Sequence, residues 1–365
     1  MDNVKIEETI PSQDNYKLLP EWSAHHESYM LWPMRPDNWR EGGKPAQKTY
    51  AEIAKQISRF EPVTMLVNQS QYLHTKSVFE NTDVRVLEMS YNDAFYRDIA
   101  PTFLKNGDSV RAVDWEFNAW GGLFDGLYFP WDQDNLVARK ICDLNRIDYY
   151  HNDFVLEGCG FVTDGQGTLI LTEESALSEG RNGIVDKSSV EKLLMDYLGV
   201  KKIIWVEQGY YMDETNGDID NMVRFIKPGE VVLTWTDDQK DPQYYISHRA
   251  LETLEKETDA NGNKFMIHKI QIPAPMYATD EESNGVDPVN GLLPRYAGDR
   301  LVASYVNFYL VNGAVILPIF NDAQDDIAIK KFGELFPDRK IIPIYCRELL
   351  LGGGNIHSIV ASIPR

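Results

Sequence analysis

Short apolar stretches of β type alternate with amphipathic helical stretches along this chain, and that alternation admits few architectures. The strand candidates are Val63–Val67, Asp83–Leu87, Leu169–Leu171, Ile203–Val206, Glu230–Trp235, Lys264–Ile272, Ala314–Pro318 and Lys340–Pro343. Lys48–Arg59, Val190–Tyr197, Pro242–Glu257 and Asp325–Leu335 space their apolar residues at helical intervals. Strand runs followed by a helix recur at intervals of roughly 60–80 residues, which suggests a repeated supersecondary unit without a literal sequence repeat. The periodicity predicts an α/β fold. No Pro/Ser/Gly-rich linker divides the 365 residues, so a single domain spanning 1–365 is expected.

Charge narrows the range of partners. Lys plus Arg number 36 against 56 Asp plus Glu, for a formal net charge of -20, and such a surface repels phosphate backbones and anionic headgroups. Neither nucleic acid nor membrane is expected as a partner, and small cations are favoured in any cleft. Cys142, Cys159 and Cys346 form an odd set with no CxxC pair, which argues against a disulfide framework and a thiolate zinc site. The opening residues lack a basic segment followed by an apolar run, and no stretch approaches the ~20 apolar residues of a membrane span. A cytoplasmic protein is expected.

The loops carry more specific information. Trp32-Pro33-Met34-Arg35-Pro36-Asp37-Asn38-Trp39-Arg40 is too aromatic and charged for an ordinary connector, and segments 91–98 and 213–221 are dense in carboxylates and amides. Asn/Asp-rich segments usually serve as turns or helix caps. Gly352-Gly353-Gly354 frees the backbone to approach a ligand, but no Lys-Ser/Thr follows, which disfavours a phosphate loop. His357 and Ser358 are sequence neighbours and GxSxG is absent, so a conventional serine hydrolase is not indicated. The sharper possibility is a cation pocket. Asp98, Glu157, Asp218 and Asp220 lie in loops that also carry Phe95, Trp120 and Tyr128. Paired carboxylates suit the planar fork of a guanidinium, and aromatic faces stack on the same cation. Four unrelated surface acids would give the same composition.

Several motifs then converge. LWPMRPDNWR (31–40), NDAFYRD (92–98), DWEFNAWGG (114–122), YFPWDQDN (128–135), DETNG followed by DN (213–221) and GGGNIH (352–357) occur in the order seen in agmatine deiminases, which the chain resembles from Pro20 to its C-terminus. The resemblance implies a five-bladed α/β propeller of pseudo-symmetric ββαβ repeats, the pentein fold. It also implies the conversion of agmatine and water to N-carbamoylputrescine and ammonia without metal or cofactor, and a homo-oligomer. In that family a cysteine thiolate attacks the amidino carbon and expels ammonia, and water cleaves the thiouronium intermediate. A histidine moves the protons while carboxylates hold the guanidinium. Carried over by motif, Asp98, Glu157 and Asp220 bind the substrate, with Phe95 and Trp120 as aromatic neighbours.

Three positions depart from the family pattern. Ser358 stands where the nucleophilic cysteine is expected, Asp218 where the catalytic histidine is expected, and Val162 where a second histidine is expected. A serine hydroxyl needs an adjacent base, and a carboxylate is a poor substitute for imidazole near neutrality. The sequence therefore predicts a guanidine- or polyamine-binding protein with absent or strongly impaired turnover. The alternatives are a working hydrolase using Ser358 with Asp218, or one in which Cys159 is a displaced nucleophile.

Overall fold

The computed structural model describes residues 3–365 and divides into two compact units. The first contains the chain up to Ala24, Arg97–Ile270 and Pro364–Arg365; the second contains His25–Tyr96 and Gln271–Ile363. Among the described residues there are five sheets, three in the first unit and two in the second.

Sheet II of the first unit shows how local sequence builds the repeat. Phe161–Thr163 runs antiparallel to Thr168–Thr172 across a tight turn. There the Asp164 carboxylate accepts the backbone N–H groups of Gln166 and Thr168 at 2.8 and 2.9 Å, and Gly165 and Gly167 take positive φ. Asp186 caps the helix Lys187–Leu198 through Ser189, and Gly199 ends it at φ 64°. The chain returns as Lys202–Val206, parallel to Thr168–Thr172. Every residue of Thr168–Thr172 is buried, as expected for a strand packed on both faces. Leu169, Ile170 and Leu171 are fully enclosed, each contributing about 1.5–3 kcal/mol of transfer free energy.

The same strand–strand–helix–strand order recurs. Sheet III comprises Val223–Lys227, Glu230–Trp235 and Met266–Gln271, with the helix Gln243–Lys256 preceding its last strand. In the second unit, sheet IV comprises Tyr309–Val311, Ala314–Ile319 and Lys340–Tyr345, with the helix Asp325–Leu335. Sheet I of the first unit contains Thr102–Asn106 and Ser109–Glu116, the helix Val137–Asn145, and Tyr149–Val155, flanked by the two-residue strands Lys5–Ile6 and Lys17–Leu18. Sheet V is assembled from both ends of the second unit's sequence. Val360–Pro364 lies beside His25–Leu31, and Val63–Val67 and Val84–Glu88 follow in parallel. The predicted α/β repeat is thus present five times, the fifth completed by the last strand of the chain. Among the described residues no helix is long and apolar enough to cross a membrane.

Candidate functional site

In the first unit, loops at strand ends bring acidic side chains together away from water. Asp98 is 6% exposed; its Oδ1 accepts the backbone N–H of Cys159 at 2.9 Å and its Oδ2 the indole N–H of Trp120 at 3.2 Å. Trp120 and the preceding Ala119 take φ of 64° and 55°, a left-handed geometry that costs non-glycine residues of order 1–3 kcal/mol and is tolerated where surroundings hold it. Phe117 and Tyr128 provide those surroundings, with ring centroids 5.3 and 6.0 Å from the Trp120 ring. Gly158, after Glu157, has no room for a side chain, since a Cβ there would lie 2.3 Å from the Arg97 carbonyl oxygen.

Glu157 is held from within. Both its oxygens accept from Nε of the buried Arg181, at 2.9 and 3.0 Å. Arg181 also gives Nη2–H to the Thr215 carbonyl at 2.7 Å and lies 3.6 Å from Asp218 Oδ1. Asp218, 2% exposed, accepts from the hydroxyls of Ser175 at 2.7 Å and Thr215 at 3.0 Å. Asp220 is 1% exposed on the short helix Ile219–Asn221. Beside it, Asp213 accepts from Thr215 and from the amide of Asn221 at 3.2 Å.

This packing has an electrostatic consequence. Burial pushes the Asp98 carboxyl up to about 7, reinforced by repulsion from Glu157 and Asp220 and partly offset by the hydrogen bonds from Cys159. Asp213 is likewise pushed up to about 7 by burial, with Asp220 adding repulsion. Burial drives Asp218 well above the carboxylate range although Arg181 opposes it, while Asp98, Glu157 and Asp213 repel. Cys159 is fully enclosed, and burial together with Asp220, Asp98 and Asp218 pushes its thiol upward. The cluster therefore holds protons near neutrality, and an incoming cation could replace them.

The second unit carries the glycine-rich loop. A Cβ on Gly352 would lie 2.1 Å from the Trp39 ring, and one on Gly354 would lie 2.5 Å from Phe95. These two glycines, expected from sequence to let the backbone approach a ligand, instead admit the protein's own aromatic rings. Phe95 and Trp39 pack at 5.4 Å between centroids, and the Trp39 indole N–H bonds Asp93 Oδ1 at 2.8 Å. Asn38 donates to the Gly352 carbonyl at 3.0 Å, Asn355 to that of Ser304 at 3.3 Å, and the His357 backbone N–H to Asn307 Oδ1 at 2.9 Å. Ser358, 6% exposed, accepts the Asn355 backbone N–H through Oγ at 3.4 Å.

The structure thus gathers Asp98, Trp120, Glu157, Asp218 and Asp220 in the first unit, and Phe95 and Ser358 in the second. Val162 is an apolar strand residue registered opposite Ile170. Sequence reasoning did not single out Arg181 or Asp213. Asp213 shares the acidic segment 213–221 and could have been included on that ground, whereas nothing in Glu179-Gly180-Arg181-Asn182 announces the contact with Glu157.

Comparison with known proteins places these features. The family described as Porphyromonas-type peptidyl-arginine deiminase matches residues 17–364, which defines the class. Agmatine deiminase from Pseudomonas aeruginosa is 48% identical over 359 residues, covering 98% of this chain and 97% of that protein. The structure of agmatine deiminase of Enterococcus faecalis superposes with a TM-score of 0.96 at 44% identity, covering 99% of each chain. A cysteine-to-serine variant of agmatine deiminase from C. jejuni, with substrate bound, gives a TM-score of 0.83 at 27% identity over 96% of each chain. The chain belongs to the agmatine deiminase family, and the pentein α/β fold expected from the resemblance is the fold of these relatives.

Proposed function

We propose that this protein binds a small guanidinium cation of the agmatine type in the first unit's carboxylate cluster, and that its deiminase turnover is absent or strongly impaired. The observation that carries this reading is the enclosure of Asp98, Glu157, Asp218 and Asp220 together away from water, where burial and mutual repulsion push Asp98, Asp213 and Asp218 upward. A bound guanidinium would supply the missing charge and five N–H donors for these acceptors. Asp98 and Asp220 act as the ligand's carboxylates and Trp120 as its aromatic neighbour. Glu157 acts mainly through Arg181, which already occupies both its oxygens.

Impaired chemistry follows from the residues at the reacting positions. Ser358 and Asp218 take the places of nucleophile and proton carrier, and the Asp218 carboxylate is already engaged by Ser175, Thr215 and Arg181. A displaced Cys159 nucleophile is disfavoured, because its thiol is held in the neutral form. The C. jejuni relative, substrate-bound with serine in place of a cysteine, supports the separation of binding from turnover. A single cytoplasmic domain in a homo-oligomer completes the reading.

Calorimetric titration of agmatine into the full chain tests it. A saturable heat that returns to baseline without ammonia or ureido product is expected. Sustained heat with ammonia release would overturn the assignment of impaired chemistry, and no heat at all would overturn the binding site.

A further inference from the structure

A second constellation lies on sheet I of the first unit, outside the carboxylate cluster. Asp114 and Glu116 alternate along Ser109–Glu116, and His151 and Asp153 alternate along the adjacent parallel strand Tyr149–Val155. Asp114 is registered opposite His151, and Trp115 opposite Asn152. At the next step the register breaks, and Glu116 pairs with Val155. Such irregularities re-aim side chains and are common beside functional sites.

We propose that Glu116, His151 and Asp153 form a binding site for a divalent transition ion of the Zn2+ type, which pins the ends of these two strands together. His151 Nε2 lies 3.1 Å from Asp153 Oδ1 and 3.6 Å from Glu116 Oε1, and all three ligand atoms fall within 4.8 Å of one another. Metal–ligand bonds of about 2.0–2.1 Å in tetrahedral array put ligand atoms about 3.3 Å apart, so the two measured separations straddle the required edge. The atoms turned away from this point are also held. Nδ1 of His151 meets the carboxylate of Asp114 at 3.1 Å, and Asp114 is only 2% exposed. A carboxylate–histidine–metal relay would use this contact, with Nδ1–H donating to Asp114 and the Nε2 lone pair left for the ion. Glu116 Oε2 accepts from the Asn135 amide, whose Oδ1 is fixed at 2.7 Å by the Phe117 backbone N–H. One imidazole and two carboxylates leave the fourth position to water, and this donor set suits Zn2+ among the common divalent ions. The site is separate from the deiminase reaction and does not depend on the guanidinium reading.

Titration of Zn2+ into metal-stripped full chain, followed calorimetrically, tests this site. One equivalent is expected to bind. His151→Gln should weaken that event by more than 100-fold, and Glu116→Gln and Asp153→Asn by 10-fold or more. Asp114→Asn, which removes the orienting carboxylate together with its pairing to Arg139, should cost 10–100-fold. The Asp153 side chain is 96% exposed, so Asp153→Asn reports on the ion without threatening the fold. The three cysteines are buried, and the His151→Gln and Asp153→Asn variants assign the binding event to this site rather than to a thiol. Absence of a one-equivalent event, or an event that survives His151→Gln and Asp153→Asn unchanged, would overturn the proposal and mean adventitious ion only.

Discussion

In the first unit, Asp98, Glu157, Asp218 and Asp220 are withdrawn from water, and the buried Arg181 pairs chiefly with Glu157. The second unit's loop 352–358 is laid against Trp39 and Phe95, and its carbonyl and amide groups bond to Asn38, Ser304 and Asn307. The first region crowds like charges that a bound cation would offset; the second is a hydrogen-bonded scaffold around the Ser358 hydroxyl. Under the proposed function, Asp98 and Asp220 of the first region serve affinity, while Ser358 of the second holds the nucleophile's position.

The largest expected effect comes from repairing the chemical positions. Ser358→Cys combined with Asp218→His and Val162→His should raise ammonia release from agmatine by about 10⁴-fold over the unaltered chain, because groups acting as one unit gain together. Ser358→Cys alone should recover little of it. A full recovery from that single change would erase the proposed role of Asp218. Next, Asp98→Asn should weaken agmatine binding by roughly 100-fold, the scale of a lost charge-assisted contact, whereas Ser358→Ala should shift calorimetric affinity less than about threefold. Equal losses from both would mean that the two regions are not separable.

pH sharpens the comparison further. Asp98 and Asp213 titrate near 7 in the folded protein, against an ordinary value of 3.8. Between those values the folded state carries more protons than the unfolded one, so stability without ligand should fall as pH rises through this window. Agmatine binding should release protons and tighten as pH rises through 7, which calorimetry in buffers of different ionisation enthalpy would register. A pH-independent affinity would contradict the cluster's role. Smaller effects belong to the scaffold. Gly354→Ala forces a Cβ to 2.5 Å from Phe95 and should cost about 1–3 kcal/mol in denaturant melts. Gly333→Ala, in the helix Asp325–Leu335 with open space around it, should stabilise by about 1 kcal/mol.

The sequence was most readable where strands are buried on both faces. Val63–Val67, Thr168–Thr172 and Ala314–Ile319 are continuous apolar runs because both faces meet other layers. No strand of sheet I was predicted. Ser109–Glu116 and Tyr149–Val155 carry Arg111, Asp114, His151 and Asp153 among their apolar residues, and that mixture hides the strand signal. His25–Leu31 opens with two histidines and a glutamate, with the same result. The acidic side chains of the site were legible as motifs. Their pairing with Arg181 was not, since it joins residues 24 positions apart through tertiary packing alone.

Sheet V places the last strand of the chain, Val360–Pro364, beside one of the earliest, His25–Leu31. On the ribosome, His25–Leu31 emerges long before Val360–Pro364 and must wait for that neighbour. Its unpaired edge is exposed throughout that interval, whereas Val63–Val67 can cover the other edge almost at once. Emergence of Val360–Pro364 is therefore the event that completes the sheet next to Ser358. A chain truncated ahead of Val360 would leave that edge open.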